Sequence, residues 1–265
     1  MKIFEIIDEE LNISIGVLLY YERERTFIIE LQKNLDEWTA PLLFTSFVKR
    51  NIYTIPRAES LMWVKERIIP SGRQNIGDIL ATHKMKSYDE MKFLEIAQGR
   101  CSQDNCFIRP LNSVPAFVEK RTKHNLTESV VLDGNRLLCF FKDTTVKIVV
   151  LDKLPYVDGL DLILKNPLLL RSCKIGTGGY FVSFNDSIDI PAWLLYKSGS
   201  LLPLSTADFA CFVKSNIIDT TDACKELTCS RQNLSYMIKQ GFLEPLKENV
   251  KGNLYSKGDV LKNTW

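Results

Sequence analysis

Apolar and polar positions repeat at two different periods along this chain, and the change of period marks out its parts. Ile15 to Tyr21 and Phe27 to Leu31 are apolar runs on either side of the charged Glu22-Arg23-Glu24-Arg25 segment, a pattern that predicts a β-hairpin over Ile13 to Leu31. From Asp36 to Phe47 the spacing of Trp38, Leu42, Leu43 and Phe47 is close to that of one helix face, and it predicts a helix. Trp38, Phe47 and Trp63 are read as core. Ser60 stands where it would cap a helix over Leu61 to Ile68, ended by Pro70. Ile76, Ile79 and Leu80 mark a third helix, and Tyr88 to Ala97 a fourth with Met91, Leu94 and Ile96 inward. Cys106 to Leu111 reads as a closing strand. Residues 1–112 are thus an α+β domain.

Asn112 to Lys123 is polar, contains proline and ends in Glu119-Lys120-Arg121-Thr122-Lys123, which reads as a linker. A small β-rich domain is expected over 124–200. Leu137 to Phe141 and Val146 to Leu151 form a hairpin around Lys142 to Thr145. Gly159 to Leu164 and Asn166 to Leu170 frame a short helix with Pro167 at an early position, where its missing N–H is harmless. Lys174-Ile175 and Tyr180 to Asn185 are strands around the Gly176-Thr177-Gly178-Gly179 turn. Asp186 to Asp189 turns again, and Pro191 to Tyr196 is a helical turn. Phe209, Phe212, Val213 and Ile217 then repeat at helical spacing, with Ser205 as a cap; packing within the chain is preferred over a dimer seam for this stripe.

The richest stretch is Asp219 to Asn263, within a last domain over 205–265. Thr220 or Thr221 is placed to cap a helix bearing Ala223 and Leu227, and Thr228-Cys229 makes a turn. Ser230 caps a second helix, Arg231 to Lys239, with Leu234 and Ile238 on its buried face. Gly241 ends it. Leu246 to Tyr255 reads as a hairpin turning at Lys251-Gly252-Asn253, and Ser256 to Asp259 has the spacing of a capping box. The exposed face of the second helix then carries Arg231, Gln232, Asn233, Ser235, Tyr236 and Lys239, residue types that reach base edges and phosphates in a major groove. Thr-Thr-x-Ala-x-x-x-Leu, Ser230-Arg231-Gln232, Gly241-Phe242-Leu243 before Pro245, and Leu254-Tyr255-Ser256 followed by Asp259 together resemble the winged helix-turn-helix of the MerR and excisionase-like families. The resemblance implies binding of double-stranded DNA through Ser230 and that face, with Lys247, Lys251 and Asn253 of the wing on phosphate or in the minor groove. Such proteins usually bind as dimers, so a homodimer is expected.

Two further resemblances bear on partners. Leu137-x-x-Phe140, Asp143, Leu151-Asp152, Asn166-Pro167, Phe184-Asn185, Ile188-Asp189-Ile190 and Leu195-Tyr196 resemble a small bacterial domain of unassigned function often encoded beside toxin genes; Thr144 stands where that family usually has glycine. This implies a toxin-like protein partner and, as the alternative to a DNA-binding regulator, an antitoxin or adaptor acting through protein–protein binding. Ile69 to Arg73 with Tyr88-Asp89-Glu90, Leu94 and Gly99-Arg100 is loosely similar to the N-terminal lobe of HipA-type toxin kinases. The kinase body is absent, so no activity follows from that likeness.

Composition narrows the chemistry. A net charge of +2 argues for no polyanion by itself, and Asp219 to Asn263 is only slightly basic. The seven cysteines are scattered and the two histidines, His83 and His124, lie far apart, so no metal, cofactor or disulfide framework is expected. Asp143, Asp152, Asp186 and Asp189 each fall at a turn, where local backbone hydrogen bonding favours Asp. Pro70 to Arg73 lacks the pattern of a phosphate loop. An enzyme is not expected. MKIFEIIDEEL is unlike a signal peptide and no apolar run reaches the ~18 residues of a membrane span, so a cytoplasmic location is expected.

Overall fold

The computed structural model describes residues 1–155, 157–203, 206–248 and 252–265 and is a mixed α+β structure with antiparallel sheets. It divides into two compact units, Met1–Glu119 and Lys120–Trp265.

In the first unit β1 (Lys2–Asp8), β2 (Ile13–Tyr21) and β3 (Thr26–Leu31) are followed by a 3-10 turn (Leu42–Phe44), α1 (Thr45–Lys49) and β4 (Thr54–Ile55). Then come α2 (Arg57–Lys65), α3 (Ile76–Thr82), α4 (Glu90–Ile96) and β5 (Cys106–Pro110). The sheet has the order β4-β3-β2-β1-β5, and its core holds Ile6, Leu18, Ile29, Phe44, Ile55, Trp63 and Leu94.

Ile96, expected inward, is 49% exposed, and two further expectations fail here for local reasons. Asp36 closes a turn, its Oδ1 accepting from the backbone N–H of Trp38 and Thr39 at 2.9 Å each, and Pro41 follows, so helical structure begins only at Leu42 and does not reach back to Asp36. Trp38 and Leu42 consequently stand 84% and 92% exposed, outside the core. Ser60 lies inside α2 instead of capping it. Its buried hydroxyl accepts from Ile29 N at 3.1 Å and donates to Ile55 O at 3.2 Å, tying the helix to the sheet.

α5 (Ala116–Thr122) occupies the passage read as a linker. In the second unit β6 (Leu126–Leu132), β7 (Arg136–Phe141) and β8 (Val146–Val150) lead to α6 (Leu160–Lys165), α7 (Pro167–Arg171), β9 (Cys173–Ile175), β10 (Phe181–Phe184), β11 (Ile188–Pro191), α8 (Ala192–Ser198) and β12 (Ser200–Leu201). The strands make two sheets, β12-β8-β7-β6 and β11-β10-β9, around Leu137, Cys139, Val149, Ile163, Val182, Phe184 and Leu195. Gly159 to Leu170 holds two helices, with Asn166 Oδ1 accepting from Leu168 N and Leu169 N at 3.0 and 3.2 Å at the start of α7. At the β7–β8 turn Thr144 takes the left-handed conformation, φ +70°, that a glycine would hold more easily.

The chain continues through α9 (Thr206–Asn216), β13 (Ile217–Asp219), α10 (Thr220–Leu227), α11 (Arg231–Lys239), β14 (Leu254–Ser256) and α12 (Lys257–Lys262). α9 packs on the first sheet, with Phe212 against Phe140 at 4.3 Å between ring centroids, while Phe209 is 52% exposed. The expected cap Ser205 lies outside the described residues. No described helix is long and apolar enough to cross a membrane.

Candidate nucleic-acid interface

β13 and β14 pair antiparallel, Ile218 opposite Tyr255, and hold the two ends of the C-terminal segment together. Ala223, Leu227, Leu234, Leu243, Tyr255 and Val260 form its core, with Ile238 packed at the edge. The first cap differs from expectation. Asp219, one residue before Thr220, accepts from Thr221 N at 2.7 Å and Asp222 N at 2.9 Å, and Thr220 is already helical. Thr228, at φ +49°, turns the chain, and Ser230 Oγ accepts from Asn233 N at 3.2 Å to open α11. Gly241 closes α11 at φ +74°: its N–H reaches Ile238 O and that of Phe242 reaches Met237 O, the paired hydrogen bonds of a Schellman end.

With Leu234 buried, Arg231, Gln232, Asn233, Ser235, Tyr236 and Lys239 are all exposed on α11, and so is Ser230 at its start. Arg231 is steadied from behind, its Nη2 donating to Thr221 Oγ1 at 3.3 Å. Lys247 is exposed where its backbone bridges to Leu254, Asn253 is half-buried, and Lys251 lies outside the described residues. Charge is unevenly compensated. Lys225 pairs with Asp222 at 2.8 Å, Lys262 with Asp259 at 2.8 Å and Lys257 with Glu226 at 3.5 Å. Arg231, Lys239 and Lys247 make no ion pair with a described residue.

The capping box is absent. Ser256 begins α12, but its hydroxyl donates to Glu128 Oε1 of β6, and the same oxygen accepts from Gly258 N at 3.1 Å. A carboxylate from a distant strand therefore caps α12. Burial pushes the Glu128 carboxyl up, against the two hydrogen bonds it accepts. Sequence reasoning missed this residue because nothing in the C-terminal stretch refers to it.

The other groups weighed for chemistry are held structurally. Asp143 accepts from Thr145 N at 3.0 Å, Thr145 Oγ1 at 2.7 Å and Tyr196 Oη at 2.7 Å. Burial works to raise its carboxyl, and these hydrogen bonds outweigh it and hold the carboxyl below the usual range. Burial pushes the Cys106 and Cys173 thiols up to about 12, which favours the thiol over the nucleophilic thiolate. Among the described residues no group of three His, Cys, Asp or Glu side chains is arranged to hold a metal ion. No family model matches the chain, and neither a curated protein nor a solved structure matches it.

Proposed function

We propose that the chain is a sequence-specific DNA-binding regulator whose C-terminal segment is a winged helix-turn-helix. The observation that carries this reading is the face of α11: six polar or cationic side chains exposed together, with Arg231 and Lys239 making no ion pair with a described residue while Lys225, Lys257 and Lys262 of the segment are paired. Arg231, Gln232 and Asn233 occupy the first turn, the part of a recognition helix that meets base edges; Lys239 and Lys247 meet phosphates. Two copies bind paired half-sites, and the regulated operon includes the chain's own gene and that of a partner protein. Selection from a randomised duplex pool by the full-length chain tests this. A recurrent, two-fold-related motif is the expected result, and recovery of unenriched sequences contradicts specific recognition.

One observation favours a second reading, an adaptor or antitoxin that docks a protein. Tyr236, Phe242 and Leu246 of the same segment are 56%, 63% and 56% exposed. Large apolar side chains in solvent are typical anchors of protein interfaces. A chain that selects no DNA but co-purifies in fixed stoichiometry with the product of a neighbouring gene would support this reading over the first.

A further inference from the structure

Beside the Glu128–Gly258 junction lies a cleft of about 420 Å³, walled by β6, the α7–β9 corner, the end of α9, α10 and α12. Its volume falls in the range of small-molecule sites and exceeds what a bare ion needs. Three cations line it, Arg171, Lys174 and Lys257, together with the carboxylates of Glu128 and Glu226.

Pairing these charges leaves a remainder. Glu128 is committed to Ser256 and Gly258, and Glu226 to Lys257 at 3.5 Å, a long contact. Lys174 reaches out to Asp186 at 2.5 Å. Arg171 makes neither a hydrogen bond nor an ion pair with any described residue. The cleft thus presents a guanidinium with no partner among the described residues, a planar fork suited to a carboxylate or phosphate, and shares its lining with a second cation that is only loosely held. Ile175 and Leu261 add apolar wall to this polar setting.

We propose that the cleft binds a small organic anion, its carboxylate or phosphate group on Arg171 and its carbon skeleton against Ile175 and Leu261. Such a ligand touches the sheet edges on one side and α12 on the other. It therefore binds only when the C-terminal segment is docked, and it stabilises that arrangement by mass action. The inference holds whether or not α11 reads DNA.

Isothermal titration of the full-length chain tests it, with succinate as the dicarboxylate probe, glycerol 3-phosphate as the phosphate-ester probe and glycerol as the neutral control. Wild type is compared with Arg171→Ala and with Lys153→Ala, an exposed cation outside the cleft. The expected result is saturable binding of at least one anionic probe and none of glycerol. Loss of a charge-assisted contact predicts binding at least about tenfold weaker in Arg171→Ala and unchanged in Lys153→Ala. Whichever probe binds tells a carboxylate ligand from a phosphate one. Equal melting temperatures of the three proteins without probe show that a loss is not unfolding. Absence of saturable binding by both anions at millimolar concentration overturns the proposal, as does equal affinity in Arg171→Ala or an equal loss in Lys153→Ala. No DNA enters the assay, so its failure is separate from failure of the regulator reading.

Discussion

Glu128 Oε1 accepts the backbone N–H of Gly258 at 3.1 Å, between residues 130 apart in sequence. The strand supplies the acceptor that the N-terminus of α12 lacks, and a negative group is favoured at that end of a helix. Contact this close requires glycine. A Cβ at Gly258 would stand 2.6 Å from Glu128 Cγ and 2.7 Å from Thr127 O, a backbone atom with little freedom to move.

Gly258→Ala is therefore expected to loosen this junction, with an overpacking cost of about 1–3 kcal/mol. Thermal and urea denaturation of the second unit's transition measure it. A variant as stable as wild type would show that the contact does not bind α12 to β6.

Glu128→Gln tests the charge at the same place. Burial pushes this carboxyl up; Asp259 adds to the rise, while hydrogen bonds from Ser256 and Gly258 and the Lys262 charge oppose it. A carboxyl whose folded value exceeds its unfolded value contributes stability below the unfolded value and loses it as pH rises through the folded one. The stability difference is thus expected to shift in favour of Glu128→Gln as pH rises from the ordinary carboxylate range through the raised value, and to level off above it. Melting temperatures across acidic to neutral pH give the profile. A difference that does not vary with pH would contradict the account.

What the chain reveals in one dimension depends on whether burial agrees with local preference. The β2–β3 hairpin is legible because apolar runs and a charged turn agree, and the exposed face of α11 because Ser230, Leu234 and Gly241 agree on its limits. β6 hides because Glu128 is buried in a strand that also buries Val130 and Leu132 and whose register shifts between Leu126 and Glu128. A carboxylate there breaks the apolar alternation, and only a partner far along the chain accounts for it. The first half of the helix expected over Asp36 to Phe47 gives way because Asp36 accepts from the backbone of Trp38 and Thr39 and Pro41 follows. Side-chain spacing alone does not weigh those local hydrogen bonds.

Thr144→Gly is expected to stabilise the second unit. A β-branched residue at φ +70° bears steric strain of about 1–2 kcal/mol, and the greater freedom of unfolded glycine offsets part of its relief. A net gain of about 0.5–1 kcal/mol should appear as a higher melting temperature. A lower one would mean that the turn draws support from the threonine side chain.

The two tryptophans of the first unit should respond very differently to truncation. Trp38→Ala is expected to change stability by less than about 0.5 kcal/mol, as at other exposed sites. Trp63 is 1% exposed and stacks under the Arg67 guanidinium at 3.6 Å, so Trp63→Ala is expected to cost about 3–5 kcal/mol. Chemical denaturation followed by circular dichroism distinguishes them, and comparable losses would place Trp38 in the core after all.

The most direct measurement is fluorescence anisotropy over a salt series, with the full-length chain on DNA from upstream of its own gene and on a scrambled duplex. Arg231→Ala, Lys239→Ala and, as a paired-cation control, Lys225→Ala are run beside wild type. The expected result is preference for the native DNA, loss of that preference in Arg231→Ala, and a salt slope smaller by about one in Lys239→Ala, with Lys225→Ala unchanged. Equal binding of both duplexes by all four proteins, or no binding at micromolar concentration, would contradict α11 as a DNA reader.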